Sequence, residues 1–245
     1  MKKIFFIVLI ACGASNTMSA QQTDTTKLII NARTSLGIKI GFTQAQLRGS
    51  QMDSLSSDGS SSPILGFHIG ITANSMLGKY FWLKHELIAT QKGAHIVKSD
   101  TINGRYNTTL KTLSLDLFPV SPTFHYKGFQ FYAGPYLSVL LDANIRRKNG
   151  AGQFVNDDGI FGSGRNFQRQ SKYMQKFDYG LSMGVEYEFP CGLNIGAKYV
   201  RGFAELLDWA NSITIGKPTD DTKIRIYTEY FNVSVGYSFM KGKNK

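Results

Sequence analysis

Three groups of residues in this chain have the types and spacing to do chemistry. Glu186 and Glu188 stand two apart, the separation that puts both carboxylates on one face of a strand, as an acid/base pair needs. His95 is followed by Ser99 and Asp100, the residue types of a hydrolase that uses a serine nucleophile, although no nucleophile motif surrounds them. Arg146, Arg147, Lys148, Arg165, Arg169 and Lys172 face only Asp157 and Asp158 between residues 146 and 172, which leaves an excess of four positive charges. Phosphates or an acidic partner would suit such a segment. The four histidines, His68, His85, His95 and His125, are scattered without metal-ligand spacing, and no cofactor is expected.

The elements that must carry these residues alternate with period two. Leu36, Ile38, Ile40 and Phe42 alternate with Gly37, Lys39, Gly41 and Thr43, and Leu65 to Ala73 repeats the pattern. Further runs are Phe81–Val97, Leu110–Pro119, Phe129–Asp142, Phe177–Phe189, Leu193–Phe203 and Phe231–Phe239. This makes eight strands, several of them longer than ten residues, where about five or six is usual. The connections alternate in length. Leu77-Gly78-Lys79, Tyr126-Lys127-Gly128 and Pro190-Cys191-Gly192 are short, whereas Arg48–Pro63, Lys98–Asn107, Arg146–Lys172 and Ala204–Lys223 are long. An even number of long tilted strands, short turns at one rim and long loops at the other predict an all-β, eight-stranded antiparallel transmembrane barrel of the outer-membrane type. The short turns are expected in the periplasm and the long loops outside the cell.

One face of each run is aliphatic and aromatic, and the other is Gly, Ser, Asn, Tyr and scattered charge. A soluble sandwich would have to cover the first face with a second sheet. A closed barrel in lipid needs no cover and has no edge. An eight-stranded lumen is just wide enough to be filled by side chains. Lys39, His68, Lys84, Glu86, Lys92, Asp116, Asp142, Asp178, Glu186, Glu188 and Lys198 are expected to face it. Both signs are present, so a paired polar network that plugs the lumen outweighs an acid/base site built on Glu186 and Glu188.

Met1-Lys2-Lys3, the apolar Ile4–Ile10 and the small-residue exit Met18-Ser19-Ala20 predict a secretory signal over residues 1–20, left out of the fold. Its removal takes the net charge from +11 to +9, because Lys2 and Lys3 leave. Leu9-Ile10-Ala11-Cys12 also fits a lipoprotein signal that would lipidate Cys12. Residues 21–35 then form a short periplasmic segment, residues 36–240 the barrel, and residues 241–245 a basic tail. With Cys12 removed, Cys191 remains alone and forms no internal disulfide.

The chain resembles the PorT-like outer-membrane β-barrel family of Bacteroidota. The matching stretches are Gly66–Gly70, Leu83–Leu87 leading to Gln91–Ala94, Leu113–Pro119, Phe131–Tyr136, Phe177–Gly180 and Gly236–Phe239, in family order over roughly residues 36–240. Ala133-Gly134-Pro135-Tyr136 is the most specific of them. Where the family often has Tyr-Leu-Glu-Ile-Pro, this chain has Ser114-Leu115-Asp116-Leu117-Phe118-Pro119. The resemblance implies an integral outer-membrane protein with both termini in the periplasm. It also implies a non-catalytic role as a cell-envelope or type IX secretion accessory. The alternatives are a surface barrel that binds lipopolysaccharide or an acidic partner through Arg146–Lys172, and a rim lipid hydrolase using His95 and Ser99. Expected partners are outer-membrane lipid, lipopolysaccharide and envelope or secretion proteins. An exported barrel meets no nucleic acid, despite its basic balance.

Overall fold

Alternating apolar and polar side chains force a strand to separate two environments, and eight such strands separate them around a closed ring. The computed structural model describes residues 33–50, 52–100, 104–153, 174–207 and 225–240. Its strands are β1 (Arg33–Arg48), β2 (Ser61–Met76), β3 (Phe81–Asp100), β4 (Gly104–Tyr126), β5 (Phe129–Asn149), β6 (Phe177–Glu188), β7 (Leu193–Gly202) and β8 (Tyr227–Met240). Each pairs antiparallel with the next in sequence, and β1 pairs with β8 to close the barrel. A four-residue helix, α1 (Met52–Leu55), lies between β1 and β2.

The first residues of β1 pair with the last of β2 and β8, so both ends of the barrel chain share a rim with the three short turns. Lys127 and Gly128 form a two-residue hairpin with φ of 48° and 88°, the left-handed pair that suits strand twist. Gly192, at φ 93°, closes the turn from Phe189, and Cys191 is an exposed free thiol there.

The wall is higher than the sequence indicates. β3 and β4 continue in register to Asp100↔Gly104, so most of the expected long loop Lys98–Asn107 is strand, and its residues 101–103 lie outside the described residues. Likewise, Arg146, Arg147 and Lys148 belong to β5 and not to a loop, paired with Thr109, Thr108 and Asn107 of β4. Residues 1–32, 154–173, 208–224 and 241–245 lie outside the described residues. With them lie the signal segment, Arg165, Arg169, Lys172 and the basic tail.

The two faces differ sharply in exposure: Ile40 is 59% exposed and its neighbour Lys39 only 2%. Leu65, Phe67, Ile69 and Ile71 of β2, and Phe177 to Val185 of β6, continue the exposed apolar belt. A continuous belt of this kind far exceeds what a water-soluble surface carries, and lipid covers it without a partner sheet. Rings collect near the turn rim, where Phe81 meets Phe124 at 5.9 Å and Tyr187 lies 4.8 Å from both Phe129 and Phe189. They form an interfacial girdle.

Above the belt, towards the loop rim, the polarity reverses. Leu47, Ala94, Ile96, Leu110, Ala143 and Ile145 point inward and pack with Met52, Met174, Leu207 and Ile226 from the connections. The outer end of the lumen is therefore an apolar plug, and an antiparallel bridge between Met174 and Leu207 prolongs the pairing of β6 with β7 beside it. Gly93 adjoins this plug with φ +153°, and an added Cβ would lie 2.0 Å from the Leu110 carbonyl oxygen. Gly93→Val is expected to cost about 1–3 kcal/mol from the backbone conformation alone. The unfolding midpoint in urea measures it, and an unchanged midpoint would contradict the expectation.

Candidate functional site

The inward positions of β1, β3, β6 and β7 bring five charges to one level of the lumen. Glu86 accepts from Lys39 at 2.6 Å and from Lys198. Glu186 accepts from Lys39 at 2.8 Å and from Lys84 at 2.9 Å. Lys39 thus spans both carboxylates. Three ammonium groups and two carboxylates are all nearly sealed from solvent. Aromatic faces take up part of the remaining positive charge: Lys198 lies 3.6 Å from the Phe118 ring centre and Lys84 lies 4.4 Å from that of Tyr132.

One level up, Lys92 donates to Asp116 at 2.8 Å and to Ser138 at 3.3 Å. Asp116 also accepts from Tyr230 at 2.7 Å and from Ser138 at 2.6 Å. Asp178 takes the Tyr136 hydroxyl and the backbone N–H of Ala204, which ties β5 to the start of the β7–β8 connection. A cavity of about 40 Å³, lined by Lys92, Thr112, Ser138 and Asp178, separates this level from the apolar plug. It has room for a few water molecules. At the lower end Gln130 donates to Glu188 at 2.9 Å, and Trp82 stacks on His125 with ring centres 4.0 Å apart. Closely paired charges fill the middle, an indole the bottom and an apolar plug the top, so the lumen is packed along its length.

Of the interior residues expected from sequence, Lys39, Lys84, Glu86, Asp116, Glu186 and Lys198 meet in this network, and His68 is buried against Thr43 at 3.1 Å. Asp178 and Glu188 lie at its two ends, half-buried. Asp142 does not belong to it. Leu113 faces Asp142, yet the next residue, Ser114, faces Leu140. The extra residue, Leu141, makes a β-bulge that turns Asp142 outward into an exposed position. The same bulge corrects the basic segment: Arg146 and Lys148 are exposed on the outer wall, whereas Arg147 points inward and is buried.

The network also contains residues that charge patterning alone passed over. Tyr132, Tyr136 and Tyr230 hold inward positions of β5 and β8 beside the lysines. Their signal was a tyrosine on the otherwise small and polar face. Lys111, exposed on the outer wall of β4, was missed for want of any motif around it.

His95 and Ser99 do not form a catalytic pair. They stand four residue steps apart along extended β3, about 13 Å. The His95 ring nitrogen Nδ1 is engaged with Thr109 Oγ1 at 2.8 Å.

A closed eight-stranded antiparallel ring with an exposed apolar belt and a packed polar lumen defines an integral outer-membrane β-barrel. The chain belongs to the outer membrane protein beta-barrel domain family, whose model matches residues 19–208. Among solved structures it is similar to Neisserial surface protein A (NspA) at 14% identity and TM-score 0.45, covering 84% of this chain and 99% of that one. It is also similar to Ail, the attachment invasion locus protein of Yersinia pestis, at 13% identity and TM-score 0.40, with 85% and 99% covered. OprG from Pseudomonas aeruginosa follows at 11% identity and TM-score 0.38, with 85% and 97% covered. No curated protein matches the chain.

Proposed function

We propose that this chain is a non-catalytic outer-membrane barrel of the PorT-like kind. It serves the cell envelope or type IX secretion through its rims and connections, with both termini in the periplasm. The observation that supports this reading most is the packed lumen. Among the described residues, charged side chains paired at 2.6 to 2.9 Å fill the middle of the lumen, which supports a role for surfaces outside it. The turn rim, which holds both ends of the barrel chain, is where soluble periplasmic partners would bind.

Deleting the gene and comparing released proteins by mass spectrometry tests the role. The secreted set is expected to collapse while the abundance of other outer-membrane proteins holds. An unchanged secreted set would remove the secretion role. A second reading, a surface barrel that holds an anionic partner, is favoured by one observation: Arg146 and Lys148 are exposed on the outer wall above the lipid belt.

A further inference from the structure

The β7–β8–β1 wall carries a carboxylate that faces outward and is nevertheless buried. Glu229 shares its side of β8 with Phe231 and Val233, which are both exposed, yet only 9% of it is exposed. Its row across the wall is Arg201↔Glu229↔Gln46, and the row beneath is Tyr199↔Phe231↔Gln44. Phe42 and Val233 of the lipid belt follow one row lower. Glu229 therefore lies just above the belt, towards the loop rim.

A crevice of about 210 Å³ sinks into the wall here. Gln44, Gln46 and Glu229 give it polar sides, and Tyr199, Phe231 and Pro63 give it flat apolar ones. Sites for drug-sized ligands measure about 300–1,000 Å³, so this one suits a single ring of a larger molecule. The carboxylate within it is under-used. Oε1 accepts from Gln46 Nε2 at 3.3 Å. Oε2 has no hydrogen bond among the described residues, and Arg48 Nε lies 3.5 Å from it. A carboxylate has sites for about four hydrogen bonds, and a buried acceptor without them is costly.

The surroundings decide which donor fits. Arg48 and Arg201 are exposed, and both lie close to Tyr199, whose hydroxyl stands beside Glu229. A cationic ligand would have to approach two guanidinium groups, and an anionic one would meet the carboxylate. A neutral ligand rich in hydroxyls meets neither obstacle. Its O–H groups donate to Glu229 in charge-assisted bonds, and the Gln44 and Gln46 amides can both donate and accept. Its C–H face lies against the ring of Tyr199 or Phe231.

We infer that this crevice is a saccharide-binding site, which takes one hexose ring of a neutral glycan from the surrounding medium. Glu229 holds adjacent hydroxyls of the ring, the two glutamines select their arrangement, and Tyr199 closes one side. The site shares no residue with the turn rim or with Arg146 and Lys148, and it gives the loop-rim wall a ligand of its own.

The test uses the full barrel refolded in phosphatidylcholine nanodiscs, since a sugar-headed detergent would compete for the site. Phosphatidylcholine carries no sugar, so any contact reports the free glycan. Trisaccharides of glucose, galactose, mannose and N-acetylglucosamine are the probes, with saturation-transfer NMR to detect contact and calorimetry to measure affinity. At least one is expected to bind with a Kd below about 1 mM. Glu229→Gln keeps the shape and is expected to weaken that binding about tenfold or more. Tyr199→Phe, which removes a single hydroxyl, should weaken it about threefold. Asn107→Ala with Asn144→Ala, exposed amides across the barrel on β4 and β5, should leave it unchanged. A heat-dependent shift in gel mobility shows that each variant is folded. Failure of all four trisaccharides to bind overturns the proposal, as does undiminished binding by folded Glu229→Gln. Tighter binding of ethanolamine or glucuronate than of any neutral sugar overturns it too, because the crevice would then select charge.

Discussion

Glu86→Gln is expected to destabilise the barrel by about 3–5 kcal/mol, the usual effect of removing one partner from a buried ion pair. Glu86 is one of two carboxylates that serve Lys39, Lys84 and Lys198. Once it is neutral, three ammonium groups crowd around Glu186 alone, in a space closed above and below. Glutamine keeps the shape, so the loss reports on charge and not on a cavity. The double variant Glu86→Gln, Lys198→Met should recover part of the loss, because it removes the stranded cation and lays a flexible apolar chain against Phe118. Glu188→Gln, at the half-exposed end of the lumen, should change stability by less than about 1 kcal/mol. Urea unfolding in vesicles, followed by gel mobility, measures all three. If Glu86→Gln matched the parent protein, the network would fill the lumen without holding the barrel together.

The second large effect lies on the opposite face of the same strand. Ile40→Arg is expected to cost about 2–4 kcal/mol, because Ile40 sits in the belt between Ile69 and Val235, where a guanidinium would meet hydrocarbon. Gln44→Arg, two outward rows nearer the loop rim, should cost about 0–1 kcal/mol. The contrast separates a lipid-facing belt from a water-facing one. In water Ile40→Arg on an exposed strand would be nearly neutral, and equal stabilities for the two variants in vesicles would count against a membrane-spanning wall.

Strand number, strand order and the two faces were legible in the sequence because the alternation is a direct record of lipid on one side and packed polar groups on the other. Lys39, Lys84, Glu86, Glu186 and Lys198 could be assigned to the lumen by parity alone, since no bulge reverses the facing of their strands within the belt. What parity could not show was the height of the wall. Above the belt the surroundings are reversed, with water outside and an apolar plug inside. On β4 this leaves a trace, a slip of phase from Leu113 to Leu110. On β5 it leaves none. The bulge reverses the facing at the level where the surroundings reverse, so apolar residues stay on odd numbers from Phe129 through Ile145. Asp142 was therefore read as interior, and Arg146–Lys148 as loop. Lys92 and the tyrosines around it show a different limit: their partnership depends on which strands lie opposite one another across the lumen, and no single strand encodes that.

The level at which polarity reverses also fixes how deeply the protein sits. Its strands range from 10 residues in β7 to 23 in β4, so strand length does not define a common height. What β1, β4 and β5 share is a line: apolar outward below it, and Arg48, Lys111 and Arg146 outward above it. Like the waterline of a hull, that line cannot rise or sink without drawing charge into hydrocarbon or lifting leucine and isoleucine into water. A thicker or thinner bilayer must therefore adjust itself to the barrel, and a partner that binds at the rim always finds it at one elevation above the lipid.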